Sequence, residues 1–276
     1  MKKLMFGMAA ALALCGMAIE SSNIVGYDTK SLEKAKFYIF APQFEATDGT
    51  SDINQIVSGL VGASYAEFGD DFVSVAPQIQ IPNAQGGYDI YYYITDGYYE
   101  GGKEKPGWCD MSGTIAGDEE ALIDGQLLSG IAMWVKDVQN AGTFQQAGQV
   151  LKDSTATVDA PVAFALRANP FPEGFNLNDA SKVAFQGLPQ VSYAEYGDDF
   201  VKYAAQIQVP NAQGGYDIYY YITDGYYEGG KEKAGWCDMS GTIAGDEEAL
   251  VTGDISQGQG FWTKGVGSSF SMTFTK

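Results

Sequence analysis

The chain has 276 residues, with 16 basic and 35 acidic side chains and a net charge of −19; its single arginine is Arg167 and it has no histidine. A nucleic-acid binder neutralises phosphates with clustered Lys and Arg, which this balance excludes, and an anionic membrane surface would repel the chain. Without histidine there is no Ser-His-Asp or Cys-His catalysis and no imidazole-ligated metal.

The first element is a leader. Residues 1–18 read MKKLMFGMAAALALCGMA, with a basic start, an apolar middle and a small-x-small end. This pattern predicts a signal peptide cleaved after Ala18 and a secreted or cell-surface protein, extracellular or periplasmic. Cleavage removes Lys2 and Lys3 and no acid, taking the charge from −19 to −21. No later apolar run is long enough to span a bilayer, so no membrane insertion is expected after cleavage. Residues 19–30 read as a polar N-terminal arm.

A first repeat unit is expected over 31–151. Phe37 to Ala41 is its opening strand. Phe72 to Ile81 alternates, with Val73, Val75, Ile79 and Ile81 on one side. A turn over 82–87 returns into Tyr88 to Thr95, giving a hairpin. Gly107 to Asp110 is a short strand, and Gly117 to Leu122 reads as one helical turn capped by Asp118. Ile131 to Lys136 is another strand. Residues 152–157 form a short polar linker, and a second unit spans 158–276, ending in the alternating strand Phe270 to Thr275.

The second unit repeats the first. Ser64 to Leu122 aligns without gaps on Ser192 to Leu250, with six differences. The shared stretch includes YDIYYYITDGYYEGGKEK at Tyr88 to Lys105 and at Tyr216 to Lys233. A period of 128 residues is a domain, not a solenoid repeat. Much Gly (35), 13% aromatics and few charges (18%) favour strands and tight turns. The expected fold is all-β: two tandem, homologous antiparallel β-sandwich-like units.

The period of two splits the return strand. Tyr88, Ile90, Tyr92 and Ile94 form the expected core face. Asp89, Tyr91, Tyr93 and Thr95 form the other. With Tyr98, Tyr99 and Trp108, this second face gives a candidate ligand platform of Asp89, Tyr91, Tyr93, Tyr98 and Trp108. Its counterpart is Asp217, Tyr219, Tyr221, Tyr226 and Trp236. Tyr and Trp rings stack on sugars while nearby carboxylates and amides bind hydroxyls. The competing reading is that these tyrosines make good strands and pack between sheets or units.

Other chemistry has weaker signals. Asp70-Asp71 and Asp118-Glu119-Glu120 offer a carboxylate pair for a glycoside hydrolase, but acids are plentiful and no catalytic motif is matched. No cofactor is expected; structural calcium is an open alternative, although no calcium-loop pattern occurs. Cys109 and Cys237, at matching positions, are expected as buried free thiols, with a bond between them as the alternative. The strand YDIYYYIT offers a route to self-association if it lies at a sheet edge.

SSNIVGY (Ser21 to Tyr27), the ANPF box (Ala168 to Phe171) and GQGFWTK (Gly258 to Lys264) together resemble an uncharacterised group of exported bacterial proteins. That group has a post-leader N-(I/V)-V-G-Y box, an A-N-P strand and a closing G-x-G-F-W-x-K strand. Unit one departs from the pattern, with Ala41-Pro-Gln-Phe44 and Gly130-Ile-Ala-Met-Trp134. The resemblance implies export and a β-rich unit; the group has no assigned activity or site residues. The expected function is a non-catalytic structural or interaction protein of the bacterial envelope or exterior, with a glycan or envelope component as partner. The alternative is a bivalent carbohydrate-binding module using exposed Tyr and Trp faces.

Overall fold

The computed structural model describes residues 25–276; the leader and the first residues of the NIVGY box lie outside them. The first half contains β1 (Val25–Leu32), β2 (Phe37–Phe40), β3 (Val57–Ser58), β4 (Gln78–Pro82), β5 (Tyr88–Tyr99), β6 (Lys103–Cys109), β7 (Met133–Lys136) and β8 (Gly142–Gln149). The second contains β9 (Thr155–Ala160), β10 (Ala165–Ala168), β11 (Phe175–Asn176), β12 (Val183–Gln186), β13 (Gln206–Pro210), β14 (Tyr216–Tyr227), β15 (Lys231–Cys237), β16 (Asp254–Ile255), β17 (Gly260–Lys264) and β18 (Phe270–Thr275). Helices are single turns: α1 (Ile53–Ile56), α2 (Tyr65–Phe68) and α3 (Tyr193–Tyr196).

Each half is two antiparallel sheets packed face to face. In the first, β1-β8-β3 covers β2-β7-β4-β5-β6; in the second, β9-β18-β12 covers β10-β17-β13-β14-β15, with β11-β16 as a small extra ladder. Strand alternation explains the packing. Ile79 and Ile81 of β4, Met133 and Val135 of β7 and Tyr91 of β5 point inward, against Leu32, Val57 and Phe144 of the smaller sheet. The second core repeats this with Ile207, Val209, Tyr219 and Phe261 against Phe270, Met272 and Phe274. In β18 every second residue is buried, as its sequence alternation predicts.

Four expectations change. The segment taken as a polar arm is, from Val25, strand β1, paired along its length with β8. The segment taken as a linker contributes Thr155 to Thr157 to β9, which pairs with β18. The alternation over Phe72 to Ile81 is a strand only from Gln78; Gly69–Ser74 is a 3-10 helix that buries Phe72. The cause is local. Ser64 caps α2 by accepting from the Glu67 amide, a Ser-x-x-Glu start signal, and Gly69 breaks the helix at φ 54°. Gly117 to Leu122 likewise forms turns, not a helix. There the Asp118 carboxylate accepts from the Glu100 amide.

The tyrosine strands are not edges: β5 lies between β4 and β6, and β14 between β13 and β15. The neighbouring edge strand is β6, whose Lys103, Glu104, Lys105 and Pro106 are exposed; β2 is the opposite edge. Charge and proline on an edge oppose pairing with another chain. Unit two has Ala234 at the proline position.

Asp96 and Asp224 tie these layers together. Asp96 accepts from the Ser64 hydroxyl (2.9 Å) and from the amides of Tyr65 and Ala66; Asp224 does the same to Ser192, Tyr193 and Ala194. Burial opposes the charge, but these donors outweigh it and hold both carboxyls below the usual range. Their stabilisation is therefore complete above the unfolded pKa, about 3.9 for Asp, and is lost as pH falls through the lower folded value. The double variant Asp96→Asn, Asp224→Asn should be less stable at pH 7 and lose less stability than the parent between pH 5 and 2. Urea melts across that range check both points.

Candidate functional site: clefts at the junction of the units

The predicted tyrosine platform is core. Tyr91, Tyr219, Trp108 and Trp236 are each 1% exposed. Tyr93 packs on Trp108 (5.2 Å between centroids) and Tyr221 on Trp236 (5.6 Å). Asp89 and Asp217 are held by the side-chain amides of Asn83 and Asn211 (2.9 and 3.0 Å). Only Tyr98 and Tyr226 are exposed, and each leans edge-on against another tyrosine, Tyr65 or Tyr193. The face assignment is thus reversed, because Tyr91 lies opposite Ile79 in the register and shares its side of the sheet. The other face is covered too: Phe72 packs on Tyr92, and Ile94 and Cys109 are buried beneath it. Burial pushes the Tyr91 phenol up and raises that of Tyr219 to about 12.

The remaining candidates are structural in their surroundings. Cys109 and Cys237 are free and buried, and their thiols donate to the carbonyls of Tyr92 and Tyr220. Burial pushes both upward, which leaves little reactive thiolate. Asp70 accepts from the Tyr65 hydroxyl (3.1 Å). Asp110, 3% exposed, accepts from the Ser112 amide (2.8 Å) and the Leu122 amide (3.0 Å), pinning two turns; Asp238 repeats this. Among the described residues no group of three or more His, Cys, Asp or Glu gathers around a metal-sized space.

Four exposed rings, Phe37, Tyr88, Phe164 and Tyr216, lie elsewhere, where the halves meet. Ile39, Ala41 and Ala132 of the first half pack on Leu166 and Ala168 of the second, with Trp134 and Trp262 beside them. All lie on the outer faces of the two five-stranded sheets, pointing away from each sandwich core. The approach is close: a Cβ on Gly260 would lie 2.5 Å from the Ala132 Cβ. Two backbone hydrogen bonds cross the seam in matching positions. The Ala41 amide donates to Gly258 O and the Ala168 amide to Gly130 O, both at 3.0 Å. These equivalent contacts, made once in each direction, give the seam an approximate two-fold character.

A chain of rings runs across it. Phe37 packs edge-on to Trp134 (5.9 Å), Trp134 meets Trp262 (6.3 Å), and Phe164 packs edge-on to Trp262 (6.3 Å). Lys136 and Lys264 lie over the two terminal rings, at 4.8 and 5.0 Å. Flanking this chain are two open clefts. The first, of about 600 Å³, lies between the 82–87 turn with Tyr88 and Phe164, Arg167 and Trp262. The second, of about 570 Å³, lies between the 210–215 turn with Tyr216 and Phe37, Tyr38 and Trp134. Each therefore combines a hairpin turn of one half with an aromatic strand end of the other. The alternating boxes around Trp134 and Trp262 were the sequence signal: Met133 and Val135 point inward, so Trp134 must point out.

Comparison with protein-family models, with curated proteins and with solved structures finds no match.

Replacing Tyr91 or Tyr219 by Ala should cost about 3–5 kcal/mol, the range for emptying a large buried aromatic site. Tyr98→Ala should cost less than about 1 kcal/mol. Urea denaturation of the three single variants distinguishes core from surface.

Proposed function

We propose that the chain is an exported, non-catalytic structural or interaction protein of the bacterial envelope or exterior. The carrying observation is the matched pair of open clefts. They gather aromatic rings, amides and backbone groups, the chemistry of adhesion. Among the described residues no Asp or Glu lines the second cleft; the first has two, Asp89 and Asp124, and Asp89 is held by the Asn83 amide. Of the carboxylates weighed for catalysis, Asp70 accepts from the Tyr65 hydroxyl and Asp118 from the Glu100 amide. Export rests on the leader pattern and on the post-leader box. The acidic surface fits a partner without strong negative charge.

No helix among the described residues is long and apolar enough to cross a membrane. Association with the envelope would then run through these surfaces after export. Repetition of one unit in one chain supplies two binding surfaces at fixed spacing.

The test mixes purified protein with isolated cell-envelope fragments and with insoluble polysaccharides. Saturable co-sedimentation without release of reducing ends is expected. Release of reducing ends above the no-protein control, scaling with protein concentration, would overturn the non-catalytic reading.

A further inference from the structure

We propose that the two clefts are a matched pair of saccharide sites, each taking a short run of neutral sugar units from a polysaccharide strand. This rests on the non-catalytic reading above and names its ligand.

Each cleft has a ring shelf. In the first, Phe164 is 46% exposed and Tyr88 40%, with Trp262 between the seam and the solvent. In the second, Phe37 is 41% exposed and Tyr216 40%, with Trp134 in the equivalent place. Rings with an open face beside polar groups stack on the C–H faces of pyranoses. In a soluble chain, partly exposed aromatics grouped this way mark a binding surface better than scattered ones do.

The opposite wall is a ledge with little side chain. It is Asn-Ala-Gln-Gly-Gly in both turns, residues 83–87 and 211–215. Gly86 and Gly214 adopt φ near 80°, and nothing lies within 4 Å of where a Cβ would stand. The same turn is fixed from within: Asn83 accepts from the Gly87 amide (2.9 Å) and donates to Asp89. A rigid turn with no bulk at its tip lets a flat ligand lie close to backbone groups.

Hydroxyl partners are at hand. In the first cleft, one Asp89 oxygen and the Gln126 amide nitrogen make no hydrogen bond among the described residues, and both residues line the space. In the second, the cations are already engaged: Lys30 by Asp28 and the Gln257 carbonyl, Lys36 by Glu33. Arg167 in the first is likewise bonded to the carbonyls of Asp159 and Leu166. Asp89 and Asp124 also face the first cleft. With a net charge of −19 behind them, the clefts favour neutral over anionic glycans. Volumes of about 600 and 570 Å³ fall in the range of small-molecule sites and suit roughly two or three sugar rings.

The two-fold relation adds a consequence. One chain can hold two polysaccharide strands, or two points on one strand, and gains avidity on a polymer that a short oligosaccharide does not show.

The test titrates full-length protein calorimetrically with neutral hexasaccharides of glucose (α-1,4; β-1,4; β-1,3) and of xylose, and with oligogalacturonate as an anionic probe. Two double variants accompany it: Tyr88→Ala with Phe164→Ala, and Phe37→Ala with Tyr216→Ala. Phe37 and Phe164 also pack on Trp134 and Trp262, so a urea melt of each variant accompanies the titration and separates loss of a site from loss of fold. The expected result is binding of at least one neutral hexasaccharide at two sites per chain. Each double variant should remove one site, and the combined variant should lose at least tenfold in affinity for the polymer. No neutral binding at millimolar ligand, equal binding by the combined variant, or preference for oligogalacturonate would overturn the proposal. If the combined variant still co-sediments with envelope fragments, the saccharide assignment fails while the non-catalytic interaction reading stands.

Discussion

The contact between the two outer sheet faces, centred on Trp134 and Trp262, sets everything distinctive about this molecule. Each sandwich buries one face of its five-stranded sheet internally. The other face would leave Ile39, Trp134, Leu166 and Trp262 in water. Bringing the halves together removes that apolar area, at a gain of roughly 25 cal/mol per Å². The contact requires small residues at its centre, and Ala41, Ala132, Ala168 and Gly260 provide them. The matched bonds from Ala41 to Gly258 and from Ala168 to Gly130 then fix the register. Once that register is fixed, each hairpin turn must stand opposite the aromatic strand end of the other half, and the clefts follow.

The nearly identical middle segment has a different task. Its tyrosines are dense because β5 and β14 are covered on both sides: the main core on one, the Phe72 or Phe200 turn on the other. Its polar residues are fasteners. From outside the segment, Asn54 accepts from the Trp108 amide and donates to Ala116 O, and Asn178 makes the same link to Trp236 and Ala244. Asp110 and Asp96 pin the loops on either side. Substituting one such group leaves its buried partner unsatisfied, which costs about 1–3 kcal/mol. Differences between the copies fall where this network is indifferent, as at Pro106 and Ala234 on the exposed edge, or are matched. Tyr196 and Tyr203, which replace Phe68 and Val75, pack on each other at 4.7 Å.

Much of the architecture was legible in the residues. Strands with alternating patterns and Gly-rich turns appear where the sequence puts them, most clearly at β18 and at the β4–β5 hairpin. Face assignment in β5 failed because tyrosine occupies both faces, so a period of two carries no preference. Register against Ile79 decides the matter, and register is a pairwise property. The 3-10 segment at Gly69 was hidden by accidental alternation of Val73 and Val75, although the Ser64-x-x-Glu67 cap announced a helical start. The clefts were hidden for another reason. Tyr88 and Phe164 are 76 positions apart in the chain, and only the seam brings the walls they belong to together.

The most direct test of this account uses fluorine NMR on protein labelled with 5-fluorotryptophan. The four tryptophans divide into a core pair, Trp108 and Trp236, and a seam pair, Trp134 and Trp262. Addition of a binding neutral oligosaccharide should shift the two seam resonances and leave the core pair unmoved. A response confined to the core pair, or no response from either seam resonance while the ligand is bound, would contradict a binding surface built at the junction.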